Sequence, residues 1–204
     1  ATQIGKIVEA YIGDVVVKTK HVKTLVDDLR LTFDNLRAYD IKLNPEKCVC
    51  GVPAGKLLGF IVSGRGIEAN PAKIRALSQL DIPKDLKQIK KLTGCVAALS
   101  RFISRLGEKA LPLYRLLRRT EHFEWTDAAT AGLEEIKAIL ATNPVLAAPN
   151  QGEPMLLYIA ATHQVVSAVL VVERETEGHK FPLQKPVYYV STVLSPCKSR
   201  YPHY

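Results

Sequence analysis

The stretch Ala10-Tyr11-Ile12-Gly13-Asp14-Val15-Val16-Val17 decides how the first part of this 204-residue chain folds. β-Favouring residues lie on both sides of Ile12-Gly13, over residues 7–11 and 14–18. A two-residue link that contains glycine predicts a tight hairpin, because the primed turns at such links require positive φ. We expect Asp14 at the turn, where a carboxylate is most often a solvated turn former.

The composition is that of a folded protein. Apolar residues make up 47% of the chain, which is enough for a core and excludes a disordered polar chain. The length allows one large domain or two small ones. The four cysteines fit no metal-binding spacing, and we expect them to be reduced thiols. No run of about 18 apolar residues occurs, so we expect no membrane partner.

The positive charge is concentrated in one segment. Residues 56–119 contain 14 Lys or Arg and four Asp or Glu, a balance of +10, whereas the other 140 residues carry −2 of the total of +8. A basic block inside a near-neutral protein favours contact with a polyanion such as a nucleic acid. Composition alone leaves open the alternative of a solvated helical surface that has no partner.

Helical periodicity and helix-capping residues organise the middle of the chain. After the hairpin, an amphipathic helix is predicted whose apolar stripe faces a sheet, formed by Val22, Leu25, Val26, Leu29, Phe33 and Leu36. Three later helices are predicted to start at Asn70, Asp85 and Thr126, because these residue types cap helix N-termini.

Short strands are predicted both before and after these helices. The runs lie at residues 48–52, 57–62, 67–69, 155–159, 165–172 and 187–190. The first two are expected to be joined through Pro53-Ala54-Gly55, and residues 173–185 are expected to be a charged hairpin loop. Asn143-Pro144 and residues 148–152 predict a linker and the main domain boundary.

Eight short motifs occur in a fixed order between residues 11 and 191. They are Tyr11-Ile12-Gly13-Asp14-Val15-Val16-Val17-Lys18, Leu43-Asn44-Pro45-Glu46-Lys47-Cys48, Leu57-Leu58-Gly59-Phe60-Ile61-Val62-Ser63, Gly66-Ile67-Glu68-Ala69-Asn70-Pro71 with Lys73-Ile74, Leu92-Thr93-Gly94, Arg101-Phe102-Ile103-Ser104, Phe123-Glu124-Trp125 and Lys185-Pro186-Val187-Tyr188-Tyr189-Val190-Ser191. Each is weak alone. Together they resemble the reverse transcriptase of gypsy-type LTR retrotransposons, of the kind abundant in plants.

The resemblance implies an α+β fold composed of the C-terminal part of a polymerase palm, a helical thumb and the start of an RNase H-like α/β domain. Residues 1–70 would form the partial palm, with a metal-site hairpin and a primer-grip-like hairpin. Residues 71–122 would form the basic thumb, 123–150 a connecting helix and linker, and 151–204 a truncated RNase H-like domain. We expect the chain to be an excerpt of a longer pol polyprotein.

The resemblance also implies an incomplete magnesium site. In the family, a Tyr-x-Asp-Asp hairpin and an upstream aspartate hold Mg²⁺ for nucleotidyl transfer. Here Tyr11 and Asp14 match that hairpin, whereas Gly13 stands where the first aspartate belongs. Two-metal phosphoryl transfer needs several converging carboxylates. The implied activity is therefore that of an RNA-directed DNA polymerase, and we expect it to be defective in this chain.

Nucleic-acid contacts are implied at two places. Leu58, Gly59 and Phe60 fall in the primer grip, which holds the end of the growing strand. The thumb residues are Lys73, Lys87, Lys90, Lys91 and Arg101. Their phosphate contacts would be independent of sequence. The implied partners are an RNA or DNA template–primer duplex, deoxynucleotides in the intact family and the rest of the polyprotein. The implied compartment is a cytoplasmic virus-like particle or the nucleus.

The RNase H-like segment also lacks an acidic residue that its family has. Ala160 stands near the end of the predicted strand 155–159, where the family has an aspartate. His163 is expected to be a structural or solvated loop residue. Three hypotheses remain: a reverse transcriptase fragment, a noncatalytic nucleic-acid-binding remnant or host-adopted module, and a structural remnant whose basic face has no role.

Overall fold

The computed structural model describes residues 4–19, 21–118 and 123–200. They form a mixed α/β fold in two compact units, Ala1–Gly64 and Arg65–Tyr204. The sequence instead predicted its main boundary within residues 143–152. The described parts of the predicted thumb, connecting segment and RNase H-like domain belong to one unit, and the four-part division by function stays a prediction. Among the described residues, no helix is both long and apolar enough to cross a membrane.

The first unit begins with the predicted hairpin. Strands β1 (Val8–Tyr11) and β2 (Asp14–Val17) pair antiparallel, with Tyr11 opposite Asp14. Ile12 and Gly13 have φ values of 37° and 88°, so both turn residues are left-handed, as a type I′ turn requires. An ion pair of 2.6 Å between Lys18 Nζ and Glu9 Oε1 joins the two sides of the hairpin.

Helix α1 (Leu25–Ala38) confirms the predicted amphipathic helix but only part of its predicted packing. α1 contacts β2. Even so, Thr32 is its one buried residue, and Val26 of the apolar stripe is 61% exposed. Of the predicted stripe, Leu25, Leu29 and Leu36 are half-buried, whereas Val22, Val26 and Phe33 are exposed. The predicted packing against a sheet is therefore confirmed only in part, because a two-stranded ribbon covers little of a four-turn helix.

The second hairpin of this unit corrects the prediction for residues 48–62. Strands β3 (Ala54–Leu57) and β4 (Phe60–Ser63) pair around Leu58-Gly59, whose φ values are 51° and 78°. The predicted strand at 57–62 is therefore interrupted by a turn at its second residue, and no strand occupies 48–52. A leucine at a left-handed position gives no turn signal, which is why the sequence placed the turn at Pro53-Ala54-Gly55 instead.

The second unit starts with a short strand and four helices. These are β5 (Gly66–Glu68), α2 (Pro71–Ser78), α3 (Leu86–Ala97), α4 (Leu106–Arg118) and α5 (Asp127–Ala141). All three predicted caps are confirmed. The side chain of Asn70 accepts from Ala72 N, Asp85 from Gln88 N and Thr126 from Ala129 N.

Strand β6 (Val145–Leu146) pairs with β5, and a separate three-stranded antiparallel sheet follows. Its strands β7 (Met155–Ala161), β8 (Val165–Arg174) and β9 (Leu183–Val193) lie in chain order. The strands are longer than predicted, so the expected loop at 173–185 is reduced to residues 175–182. A register shift lies between Leu170 and Val171.

Helix α4 packs between α5 and the strands β8 and β9, and this defines the core of the unit. Its two contacts depend on close backbone approach. A Cβ at Gly132 of α5 would lie 2.2 Å from the carbonyl oxygen of Lys109, and a Cβ at Gly107 would lie 2.7 Å from Ser191 Oγ. Instead, Gly107 N donates to Ser191 Oγ at 2.8 Å, and Ser191 Oγ lies 2.7 Å from Ser167 Oγ.

Candidate nucleic-acid interface

Three of the predicted contact residues lie together on α3. Lys87, Lys90 and Lys91 are exposed on one face, since residues three and four positions apart are neighbours on a helix. The opposite face is buried through Ile89, Leu92, Thr93 and Val96. α3 is therefore anchored by its apolar side and presents a row of ammonium groups to the outside.

The ammonium groups of this face form no ion pair among the described residues, although Asp81 lines a surface hollow together with Lys91. Elsewhere, arginines and lysines sit in ion pairs, such as Arg30–Asp27 and Arg105–Glu108. None of the ion pairs among the described residues includes Lys87, Lys90 or Lys91. The neighbouring carboxylate, Asp85, is engaged by Gln88 N at 2.7 Å and Gln88 Nε2 at 3.1 Å. Exposed lysines in a row suit a phosphate backbone.

Gly94 continues the same face and has no packing reason within the described residues. A Cβ built on it meets no atom within 4 Å beyond its own helix, and Gly94 is exposed. Glycine inside a helix costs roughly 0.5–1 kcal/mol relative to alanine. Ala97 and Ala98 are also exposed, and together with Gly94 they form a surface from which no long side chain projects. The sequence analysis used Gly94 only as part of the Leu92-Thr93-Gly94 motif and assigned it no contact; a glycine among the lysines of a predicted helix is the signal that could have found it.

Lys73 and Arg101 are placed differently from the three lysines. Lys73 is half-buried on α2. The guanidinium carbon of Arg101 lies 5.8 Å from the centroid of the Tyr188 ring, so this side chain contacts β9. Of the predicted basic block, Arg119 lies outside the described residues. We therefore define the α3 lysine face as Lys87, Lys90 and Lys91, with Gly94, Ala97 and Ala98 beside them.

The β1–β2 turn supplies too few ligands for the implied magnesium ions. Tyr11 and Asp14 are exposed and paired across the turn, and Gly13 contributes only backbone. No group of three or more His, Cys, Asp or Glu side chains that could hold a metal ion occurs among residues 4–19, 21–118 and 123–200. One carboxylate at a turn does not match the several oxygen ligands that a protein-bound Mg²⁺ takes from carboxylates and substrate. The residues present at this turn therefore do not fit the magnesium ions that the resemblance implies.

The two hairpins of the first unit share an unusual turn composition. Ile12 and Leu58 each occupy the first left-handed turn position, followed by Gly13 and Gly59. A left-handed conformation costs a residue with a Cβ roughly 1–2 kcal/mol. Ile12 is 88% exposed and Leu58 47% exposed, so burial does not offset that cost. Phe60, the third predicted contact of this hairpin, is half-buried.

At the end of β7 the structure has no acidic side chain. Ala160 and Ala161 close the strand, and the Thr162 hydroxyl accepts from Val165 N at 3.0 Å in the turn that follows. The position at which the resemblance expects an aspartate is thus a methyl group on an exposed strand end.

Comparison with known proteins links this geometry to retroelement proteins. Residues 125–204 match the family model described as an RNase H-like domain found in reverse transcriptase. The chain is 28% identical over 97% of its length to the retrovirus-related Pol polyprotein from transposon opus of Drosophila melanogaster. It is 26% identical over 95% of its length to the transposon Tf2-3 polyprotein of Schizosaccharomyces pombe. It spans 20% and 14% of those two proteins.

Solved structures show the same fold. One is the foamy viral protease-reverse transcriptase in complex with an RNA/DNA hybrid, with a TM-score of 0.78 and 21% identity over 95% of this chain and 26% of that one. In its complex with double-stranded DNA the TM-score is 0.77, over 97% of this chain and 40% of that one. The chain is thus similar to retrotransposon Pol polyproteins, and its residues 125–204 resemble an RNase H-like domain.

Proposed function

We propose that this chain is the duplex-holding part of a reverse transcriptase of the gypsy type, and that it binds a template–primer without performing nucleotidyl transfer. The single observation that carries the proposal is the α3 lysine face. Its three ammonium groups are exposed, and they lie beside a glycine for which the fold has no need. The solved structures of similar fold are complexes with an RNA/DNA hybrid and with double-stranded DNA, which supports the same reading.

The lysines and the small residues have complementary tasks in this proposal. Lysine stems reach out to phosphates on the duplex backbone, where contacts position the nucleic acid without reading its sequence. Gly94, Ala97 and Ala98 let the helix axis approach the duplex closely, because no long side chain intervenes. Lys73 is half-buried and Arg101 lies beside the Tyr188 ring, so both are expected to contribute less to duplex binding than the three α3 lysines.

The two hairpins of the first unit complete the proposed binding role. Leu58-Gly59 and Phe60 would contact the primer strand, and Tyr11, Gly13 and Asp14 mark the place of the incomplete magnesium site. A strained, exposed apolar residue at a turn is typical of sites where the backbone conformation serves a ligand. In an intact relative, deoxynucleotides and magnesium would act at that hairpin; Gly13 removes the first of its two carboxylates here.

The second candidate is a noncatalytic module, either a decayed element copy or a host-adopted one. It is favoured by Gly13 and Ala160, which replace expected aspartates in both halves of the chain. Both candidates require duplex binding and differ only in the history of the gene. A fragment of an active enzyme, by contrast, is disfavoured by these two positions.

The test is equilibrium binding of the purified chain to a labelled RNA/DNA primer–template across a salt series. Lys87→Glu, Lys90→Glu and Lys91→Glu are combined in one variant. The matched control combines Lys180→Glu, Lys185→Glu and Lys198→Glu, three exposed lysines of the same unit, so both variants lose the same charge. We expect the α3 variant to bind at least tenfold more weakly and to lower the salt slope by about 1 per lysine. Equal loss in both variants would refute a specific α3 face.

A further inference from the structure

A surface hollow opens on one flank of the α3 lysine face. It has a volume of about 220 Å³ and lies where the linker after α2 meets α3. The residues that line it are Leu80, Asp81, Gln88, Lys91 and Leu92. Leu92 is 1% exposed and Leu80 is half-buried, whereas Asp81 and Lys91 are exposed. The hollow therefore has an apolar floor and two opposite charges at its rim, and Lys91 belongs both to the hollow and to the lysine face.

The linker that carries Asp81 is held to the first turn of α3. The side-chain amide of Gln88 accepts from Lys84 N at 3.0 Å through Oε1 and donates to Asp85 Oδ2 at 3.1 Å through Nε2. Among the described residues, no ion pair includes Asp81 or Lys91, so these two charges do not pair with each other across the hollow. The fold thus keeps a space between a hydrogen-bond acceptor and a cation.

We propose that this hollow receives a ribose of an RNA strand, so that the Asp81 carboxylate accepts a hydrogen bond from the 2′-hydroxyl while Lys91 contacts the neighbouring phosphate. This inference rests on the proposed duplex binding by the α3 lysine face and deepens it. It gives that face a preference for an RNA/DNA hybrid over double-stranded DNA.

The chemistry of the rim matches a ribonucleotide. The 2′-hydroxyl and the 3′-phosphate are attached to adjacent carbons of the sugar ring, so an acceptor and a cation beside one hollow can contact both. An ionised carboxylate only accepts hydrogen bonds, and the 2′-hydroxyl is the donor that distinguishes RNA from DNA. The volume is about seven times the ~30 Å³ of a water molecule in the liquid, which leaves room for a sugar ring against Leu80 and Leu92.

The position of Asp81 is unfavourable for a surface that binds DNA. A carboxylate beside a phosphate-binding lysine repels the DNA backbone, whose sugars offer it no hydroxyl. With RNA, a charge-assisted hydrogen bond offsets this repulsion. Asp81 therefore acts against DNA and not against RNA, as a specificity-determining residue does when it penalises the wrong partner.

The test compares three duplexes of the same base sequence at one salt concentration. They are an RNA/DNA hybrid, double-stranded DNA, and a hybrid whose RNA strand carries 2′-fluoro groups in place of the 2′-hydroxyls. Fluorine keeps the sugar pucker of RNA but donates no hydrogen bond, so the third duplex separates the hydroxyl from the helix shape. We expect the chain to bind the natural hybrid about tenfold more tightly than either other duplex, the effect of one hydrogen bond to a charged group.

Two variants assign this preference to a residue. Asp81→Ala removes the acceptor, and Glu177→Ala removes the same charge from the exposed β8–β9 loop as the matched control. Asp81→Ala should bind the natural hybrid about tenfold more weakly and double-stranded DNA more tightly, because the acceptor and the repulsion disappear together. Glu177→Ala should keep the preference of the natural chain. The fluorinated duplex tests the proposal on the natural chain itself, whatever the stability of the variants.

Equal affinity of the natural chain for the hybrid and its fluorinated form would overturn the ribose contact, as would a hybrid preference that Asp81→Ala leaves unchanged. In both cases, lysine-dependent binding to all three duplexes would still support the proposed function. Absence of binding to every duplex at low salt would instead refute the proposed function, and this inference with it.

Discussion

At the scale of single residues, the turns at Ile12-Gly13 and Leu58-Gly59 show which backbone conformations the sequence predicts and which it does not. Gly13 and Gly59 supply the positive φ that type I′ turns need. The sequence around Gly13 predicts its turn correctly. Ile12 and Leu58 were not readable as left-handed residues, because bulky side chains rarely adopt that conformation. The turn at Leu58 was therefore misplaced, although the residues themselves had been selected through the resemblance.

The strain at Leu58 leads to a prediction with opposite effects on stability and binding. Leu58→Asn should raise the free energy of unfolding by about 0.5–1 kcal/mol, because asparagine tolerates the left-handed region. It should weaken duplex binding if the exposed leucine contacts the primer. Chemical denaturation and the binding assay measure the two effects. Leu31→Asn, at an exposed leucine of α1, is the control and should leave binding unchanged. A stabilised variant with unaltered affinity would exclude Leu58 from the interface.

At the scale of elements, one substitution in helix α3 is expected to change stability and duplex binding in opposite directions. Gly94→Leu should stabilise the helix by up to ~1 kcal/mol, since leucine has the higher helix propensity and the surrounding space is open. Duplex affinity should fall about tenfold, or ~1.4 kcal/mol, because the side chain holds the nucleic acid away from the helix. Ala138→Leu on the exposed face of α5 is the matched control. Unchanged binding by Gly94→Leu would remove the close-approach argument.

The first turn of helix α4 is capped from β9, and this too can be tested. Ser191→Ala leaves Gly107 N–H and the Ser167 hydroxyl without their shared partner, so we expect a loss of about 1–3 kcal/mol in unfolding free energy. Ser78→Ala removes a hydroxyl that bonds only to its own helix at an exposed position and should change stability by less than about 0.5 kcal/mol. Thermal or urea unfolding of both variants measures the difference.

What the sequence predicted at this scale was local. The turn at Gly13 and the caps Asn70, Asp85 and Thr126 depend on a few neighbouring residues, and their prediction is confirmed. The covering of the α1 stripe and the Ser191–Gly107 bond depend on residues far along the chain. Periodicity predicts that a face is apolar, but not which surface covers it.

At the scale of the whole molecule, acid should loosen the connection between β6 and β7. Glu153 accepts from Arg174 Nε and Nη2 at 2.7 and 2.8 Å and from Asn150 N, and these bonds lower its pKa from 4.5 to about 2. The folded carboxyl is the stronger acid, so its contribution is complete above about pH 4.5 and is lost as the pH falls toward 2.

Unfolding midpoints measured between pH 2 and pH 6 should therefore fall more steeply for the natural chain than for Glu153→Gln, which cannot titrate. The variant should also be less stable at pH 6, because Arg174 loses a charged partner. Parallel curves for the two proteins over this range would contradict the assignment. The bond from Arg174 Nη2 to the carbonyl of Ala148, 2.7 Å long, involves no group that titrates in this range and should persist when Glu153 is protonated.

The hydrogen bond between Gly107 and Ser191 also has a consequence during synthesis. The two residues are 84 positions apart, so a ribosome adding about 5–20 residues per second needs roughly 4–17 s to travel from one to the other. For most of that interval α4 (Leu106–Arg118) has been synthesised while β9, one of the two strands that pack on it, has not. The apolar sides of the nascent helices therefore remain uncovered for seconds, until β9 has been synthesised and can pack on α4.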